Sequence, residues 1–177
     1  MKKILIGMTV FVTLFVFIGC GKKTPEVNIA VSDISNDVKS IIAEDLKKAG
    51  VPEESFKDGQ LPMYMEIDLT GETQNPFSEI INKEDIEEGI AIQQMMNVKS
   101  DMIVILKAKD ETKVESLKTS LEKIKEQQTK IWETYLQDQY EKVKNNLILT
   151  NGKYLVYITY ESPEKIETTF NNALNEK

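Results

Sequence analysis

The chain has 177 residues, with 22 basic and 29 acidic side chains and a formal net charge of -7 at pH 7. Every basic residue is Lys, so the chain lacks the Arg side chains and the cationic footprint typical of nucleic-acid-binding proteins. Histidine is absent and cysteine occurs once. These counts exclude Ser-His-Asp and Cys-His catalysis, a His-ligated metal site and an internal disulfide, and we expect no cofactor.

The first twenty residues predict export and attachment to a lipid. Met1–Lys3 is basic, residues 4–18 carry no charge and are mainly apolar, and Gly19 precedes Cys20. A basic start, an apolar centre and a small residue before a cleavage site are typical of a secretory signal. A cysteine after that small residue resembles the lipobox of bacterial lipoproteins, in which the thiol receives a diacylglyceryl group. Phe17 departs from the Leu that the lipobox prefers at that position.

This pattern divides the chain into three parts. We expect a lipoprotein signal peptide at residues 1–19, a lipidated tether at residues 20–30 and a single α+β domain at residues 31–177. An uncleaved membrane helix is the alternative, but the apolar run is shorter than the ~20 residues that span a bilayer. The predicted location is the outer face of the cytoplasmic membrane, where the lipid on Cys20 anchors the protein.

The domain begins with a predicted amphipathic helix over residues 32–49. Its apolar side chains recur at helical spacing on one face, and Gly50 and Pro52 follow as a stop signal. Residues 61–69 then alternate between apolar and polar side chains, which favours a short strand or an extended edge segment. Asn75 and Pro76 begin a brief helical turn that continues through Ile81.

Two strands and a long helix follow. Residues 87–96 alternate in polarity and predict one strand. Residues 101–108 predict an interior strand, because Met102–Leu106 within them is apolar on both faces. Residues 110–136 predict the longest helix, with an apolar stripe of heptad type that Gln128 interrupts. A coiled coil and a helix lying across a sheet give the same stripe, and we favour the sheet.

The C-terminal part predicts a hairpin between two helices. Residues 138–145 predict a short helix, and Asn151-Gly152 joins two apolar runs in the strongest hairpin signal of the chain. Ser162-Pro163-Glu164 begins the last helix. The predicted fold is therefore α+β, with an antiparallel sheet of about four strands in β-β-α-α-β-β-α order after an N-terminal amphipathic helix.

An ordered set of short segments carries a resemblance to a known family. The segments are Ile86-Glu87-Glu88-Gly89, Met96-Asn97-Val98, Lys107-Ala108-Lys109-Asp110, Tyr135-Leu136, Gln139-Tyr140-Glu141-Lys142-Val143-Lys144-Asn145 and Gly152-Lys153-Tyr154. The stretch from Ile86 to Ala173 resembles the exported Gram-positive lipoproteins grouped as domain of unknown function 4358. The resemblance implies a lipid-anchored protein outside the cell, and it carries over no catalytic residues.

Two acidic clusters are candidates for chemistry. Asp85, Glu87 and Glu88 form one cluster, and Asp110 and Glu111 form the other. Carboxylates suit Ca²⁺, but neither cluster has the spacing of a calcium loop. We therefore interpret both as solvated acids and helix-start charges, and we predict no metal site.

Three aromatic residues form the candidate binding surface. Trp132, Tyr135 and Tyr140 lie where the longest predicted helix ends and the next begins. Exposed rings could stack on sugars or peptides, whereas buried rings would close the core at this corner. The sequence favours core closure, and the three rings are kept as the candidate binding surface.

Two functional hypotheses follow. In the first, the protein is a non-enzymatic lipoprotein that binds an envelope protein or a cell-wall component, and it does not bind nucleic acid. In the second, it is a carboxylate-dependent hydrolase of the cell envelope. Two buried, facing carboxylates in one cleft would favour the hydrolase, whereas scattered and exposed acids would favour binding.

Overall fold

The computed structural model describes residues 27–57 and 59–175, so Cys20 and the predicted signal peptide lie outside the described residues. The helices and strands, in chain order, are α1 (Val31–Lys48), β1 (Tyr64–Asp68), β2 (Ile86–Gln94), β3 (Met102–Ala108), α2 (Val114–Glu133), α3 (Gln137–Lys144), β4 (Leu147–Asn151), β5 (Tyr154–Thr159) and α4 (Pro163–Asn175). Among these helices, none combines the length and the hydropathy that crossing a membrane requires.

The strands form one antiparallel sheet in the order β1-β2-β3-β5-β4. The predicted α+β class and the antiparallel sheet are confirmed. The sheet has five strands rather than about four, because the alternating segment before residue 69 pairs with β2 as an edge strand. The second hairpin places β5, and not β4, beside β3.

Strand β3 is the centre of the core, and all seven of its residues are buried. Ile103 and Ile105 pack on one face of the sheet, while Val104 and Leu106 pack on the other. A strand covered on both faces needs apolar side chains at successive positions, which explains why this segment does not alternate in polarity.

Helices cover both faces of the sheet. α1 and α4 pack on one face, where Ile34, Val38 and Phe170 are fully buried. α2 packs on the other face through Leu117 and Leu121. The stripe on α2 therefore lies on a sheet, as the interrupted heptad pattern predicts.

Local signals define the ends of several elements. The Asp110 side chain accepts a hydrogen bond from the Thr112 N–H, 2.8 Å away, and so caps the turn that leads into α2. Gly152 has a φ of 56° in the hairpin between β4 and β5, a conformation that glycine adopts at little cost. These are the positions at which the sequence predicts a helix start and a hairpin.

Candidate functional site

An open cleft of roughly 940 Å³ lies at one end of the sheet. The start of β1, the end of β2, the start of β3 and the end of β5 meet there, because antiparallel neighbours bring alternate ends together. The C-terminal end of α1, the start of α4 and one face of α3 complete the walls. We call this cavity the sheet-end cleft.

One group of polar side chains in the cleft centres on Asp101, directly before β3. The Tyr64 hydroxyl donates to Asp101 Oδ2 at 2.9 Å, and Lys142 Nζ donates to Asp101 Oδ1 at 2.7 Å. All three residues are largely buried, and Lys142 also forms an ion pair with Glu161 at 3.2 Å. We call Tyr64, Asp101 and Lys142 the Asp101 group.

A second group of the same composition centres on Asp45, near the end of α1. The Tyr160 hydroxyl donates to Asp45 Oδ2 at 3.2 Å, and Lys165 Nζ lies 2.8 Å from Asp45 Oδ1. Tyr160 is buried, whereas Asp45 and Lys165 lie nearer the solvent. We call Tyr160, Asp45 and Lys165 the Asp45 group. The cleft thus contains two Tyr–Asp–Lys arrangements built from six separate places in the chain.

These contacts shift the ionisation of the cleft residues. Burial raises the pKa of Asp45, but the hydrogen bonds from Lys165 and Tyr160 outweigh it and hold the pKa below its ordinary value. Burial lowers the pKa of Lys142, yet its contacts with Asp101 and Glu161 raise it above the ordinary Lys value. Burial and the nearby carboxylates raise the pKa of both Tyr64 and Tyr160 well above the usual range. Near neutral pH the tyrosines are therefore neutral donors, while Asp45 and Lys142 are charged.

One wall of the cleft includes a strained residue. Met63 has a φ of 66°, and the Met95 N–H donates to its carbonyl at 2.8 Å. A non-glycine residue in the left-handed region costs about 1 kcal/mol, and such positions are enriched at functional sites. Met63 immediately precedes Tyr64, so the strain sits next to a residue of the Asp101 group.

The acidic cluster of Asp85, Glu87 and Glu88 forms ion pairs within the protein, so it is not the fully solvated cluster that the sequence predicted. Asp85 is buried, with Lys113 Nζ and Ser116 Oγ each 2.8 Å from its carboxylate. The hydrogen bonds from Lys113 and Ser116 hold the pKa of Asp85 below its ordinary value. Glu87 and Glu88 pair with Lys107. Within residues 27–57 and 59–175, no cluster of three or more Asp, Glu, Cys or His side chains could hold a metal ion.

The three aromatic residues of the predicted binding surface have different environments. Trp132 is 6% exposed, and its Nε1 donates to Gln128 Oε1 at 3.1 Å. Tyr135 is 52% exposed, and its ring lies 5.7 Å from the Trp132 ring at an angle of 45°. Tyr140 is half-buried beneath the Lys144 ammonium, 5.3 Å from its ring centroid. The structure pairs Trp132 with Tyr135 and buries the Trp132 side chain at the end of α2.

The six residues of the two Tyr–Asp–Lys groups were not candidates in the sequence. Tyr64 and Tyr160 lie in segments that predict strands, and Asp45 lies on a face of α1 that predicts solvent exposure. A weak signal exists in Asp101, an acid directly before the most apolar strand, and in Tyr160, a tyrosine at the end of another. Only the strand order brings these residues to the same end of the sheet.

Comparison with known families gives a match for the middle of the chain. Residues 79–160 match the family described as Domain of unknown function (DUF4358). The match supports the resemblance to this family, over residues 79–160 rather than the stretch from Ile86 to Ala173. Curated proteins and solved structures gave no match.

The matched region supplies part of the sheet-end cleft. It contains Asp101, Lys142 and Tyr160 but not Asp45, Tyr64 or Lys165. Each Tyr–Asp–Lys group therefore combines residues from inside and outside the region that the family describes.

Proposed function

We propose that this chain is a lipoprotein, anchored through Cys20 to the outer face of the cytoplasmic membrane, whose domain binds a polar component of the cell envelope without transforming it. The observation that carries the binding role is the sheet-end cleft with its two Tyr–Asp–Lys groups. The cleft is large enough for part of a polymer chain or a small polar molecule.

The charges in the cleft favour binding because they are already held in place. Lys142 and Lys165 each donate to a carboxylate, and each carboxylate also accepts from a tyrosine hydroxyl. A ligand with hydroxyl, amide or charged groups would meet side chains that need little reordering, which lowers the entropic cost of association.

The ionisation of the cleft supports binding over hydrolysis. A glycoside hydrolase needs a carboxylic acid whose pKa is raised, so that it can donate a proton near neutral pH. The pKa of Asp45 is lowered by its contacts with Lys165 and Tyr160. Asp138 also lines the cleft, and its hydrogen bond with Gln139 likewise holds its pKa below the ordinary value.

The anchor is tested on the full-length chain expressed in a bacterial host. Mass spectrometry of the N-terminal peptide should find a diacylglyceryl group on Cys20 and no residues before it. Cys20→Ser should move the protein from the membrane fraction to the soluble fraction. A wild-type protein that keeps Met1 and leaves the membrane on washing with salt would disprove the anchor.

Binding is tested with solubilised cell-wall fragments and purified full-length protein in isothermal titration. Tyr64→Phe and Tyr160→Phe together should lower the affinity at least tenfold, because each removes one hydroxyl and keeps the ring. Tyr135→Phe is the matched control, since Tyr135 lies outside the cleft. Equal affinities for the double variant and the control would rule out the cleft as the site.

The hydrolase remains a second candidate because Asp45 and Asp101 line the same cleft. Its test is the release of reducing ends or free amines from purified cell wall. If the wild-type protein released these groups and neither Asp45→Asn nor Asp101→Asn did, the two carboxylates would be catalytic. We expect no release by the wild-type protein.

A further inference from the structure

The segment that would follow the lipid anchor is bound at the end of the sheet opposite the cleft. Asn28 Oδ1 accepts a hydrogen bond from Lys107 Nζ at 2.7 Å. The Tyr154 hydroxyl bonds both the N–H and the carbonyl of Ile29, each at 2.8 Å. Lys107 lies near the end of β3 and Tyr154 at the start of β5, whereas the cleft lies at the other ends of these strands.

A buried charge holds this attachment. The Lys107 side chain is 3% exposed, and its ammonium lies 2.8 Å from Glu87 and 3.4 Å from Glu88. Glu88 also accepts from the Val31 N–H at 2.7 Å, at the first turn of α1. We call Asn28, Glu87, Glu88 and Lys107 the N-terminal clamp. Because Lys107 can be buried only with partners, the clamp fixes where the chain leaves the domain.

We infer that the protein presents the sheet-end cleft away from the bilayer. Its ligand is therefore a component on the cell-wall side of the protein and not a lipid headgroup. This inference rests on the proposed anchor at Cys20. It deepens the proposed function by placing the ligand of the cleft beyond the membrane surface.

The lengths of the strand and of the tether support this orientation. β3 has seven residues, so the clamp and the cleft are separated by about 20 Å along it. The seven steps from Cys20 to Val27 reach at most about 25 Å. Turning the cleft toward the bilayer would require the tether to run back along the whole sheet, close to full extension. Full extension costs conformational entropy in every residue, so the outward orientation is preferred.

Charge favours the same orientation. Five carboxylates and three lysines line the cleft, so its formal charge is negative. An anionic bilayer surface repels such an end of the domain. The cleft is therefore poorly suited to anionic headgroups and better suited to a polar or cationic wall component.

The experiment compares the two ends of β3 in the lipidated full-length chain in native membrane vesicles. Asn97→Cys, in the exposed turn before β3, and Lys109→Cys, just after β3, each receive a donor dye, with an acceptor dye on the lipid headgroups. The acylated Cys20 has no free thiol, so the introduced cysteine is the reactive one. Circular dichroism and the melting temperature of both labelled variants verify the fold.

We expect energy transfer from Lys109→Cys to be at least threefold more efficient than transfer from Asn97→Cys. Equal transfer, or stronger transfer from Asn97→Cys, would overturn the inference, and the latter would indicate a headgroup as the ligand. Cys20→Ser on each background is the control for transfer that does not depend on the anchor. No transfer at either site, together with an unlipidated Cys20 in the mass spectrum, would refute the anchor and the orientation with it.

Discussion

The Tyr64 hydroxyl donates a hydrogen bond to the Asp101 carboxylate, 2.9 Å away, and so ties the edge strand β1 to the start of the central strand β3 across the end of β2. The two residues are 37 positions apart in the chain. Their contact therefore depends on strand pairing, and it connects the stability of the sheet to the shape of the cleft.

This contact gives a prediction about stability. Tyr64→Phe removes the hydroxyl and leaves Asp101 with Lys142, so we expect the free energy of unfolding to fall by about 2 kcal/mol, the value typical of a hydrogen bond to a charged group. Urea denaturation measures this free energy of unfolding. Tyr135→Phe, at an exposed ring, should change it by less than about 0.5 kcal/mol. A loss of equal size in both variants would show that the Asp101 contact contributes nothing specific.

The Asp45 group gives a prediction about pH. The pKa of Asp45 is lowered in the folded state by Lys165 and Tyr160 against the effect of burial. The contribution of ionised Asp45 to the free energy of unfolding is thus complete above the ordinary Asp pKa of about 3.9. This contribution is lost as the pH falls through the lower pKa of the folded state. The difference in unfolding free energy between the wild type and Asp45→Asn should be constant near neutral pH and shrink below about pH 4. Denaturant titrations at a series of pH values measure it.

The control for this titration is Asp37→Asn, which replaces an exposed carboxylate on the same helix. Its unfolding free energy should stay within about 0.5 kcal/mol of the wild type across the series. A difference for Asp45→Asn that grew as the pH fell would contradict the assigned direction.

The elements of the fold follow from local patterns in the sequence. β3 is apolar from Met102 to Leu106 because helices cover both faces of the sheet, and the Asn151-Gly152 hairpin forms where the backbone needs positive φ. The stripe of α2 packs on the sheet through Leu117 and Leu121. Each of these features depends on residues close together in the chain, which is why they could be predicted.

The cleft could not be predicted in the same way. Its residues come together only because β5 pairs with β3 and β1 pairs with β2, and no local pattern specifies that order. Lys142 and Asp101 are 41 positions apart, and Lys165 and Asp45 are 120 apart. The aromatic cluster at the end of α2 can be identified from the sequence because its residues are close together in the chain, yet Trp132 is buried.

The N-terminal clamp gives a prediction about stability: replacing its carboxylates should cost more unfolding free energy than replacing its lysine. Glu87→Gln together with Glu88→Gln leaves Lys107 buried without an anion, so we expect a loss of about 3 kcal/mol in unfolding free energy. Lys107→Met removes the buried charge and leaves carboxylates that are 44% and 36% exposed to water. We expect it to cost less than about 1.5 kcal/mol.

Urea denaturation of both clamp variants measures this asymmetry. Lys130→Met is the control, because Lys130 and Glu126 form an exposed pair on α2 that should contribute less than about 0.5 kcal/mol. A larger loss for Lys107→Met than for the double Gln variant would show that the carboxylates, and not the lysine, carry the cost of an unpaired charge.

Variants of the aromatic residues at the end of α2 distinguish a structural role from a binding role. Trp132→Ala should lower the unfolding free energy by about 3 to 5 kcal/mol, because it empties a buried site, so a loss of binding in that variant would not identify a ligand surface. Tyr135→Ala should cost less than about 1 kcal/mol of unfolding free energy, since half of the ring is already in water.

Tyr135→Ala is therefore the informative variant in titrations with cell-wall fragments. Because Tyr135 lies outside the sheet-end cleft, we expect an unchanged affinity, and a tenfold loss would move the binding surface from the cleft to this aromatic pair.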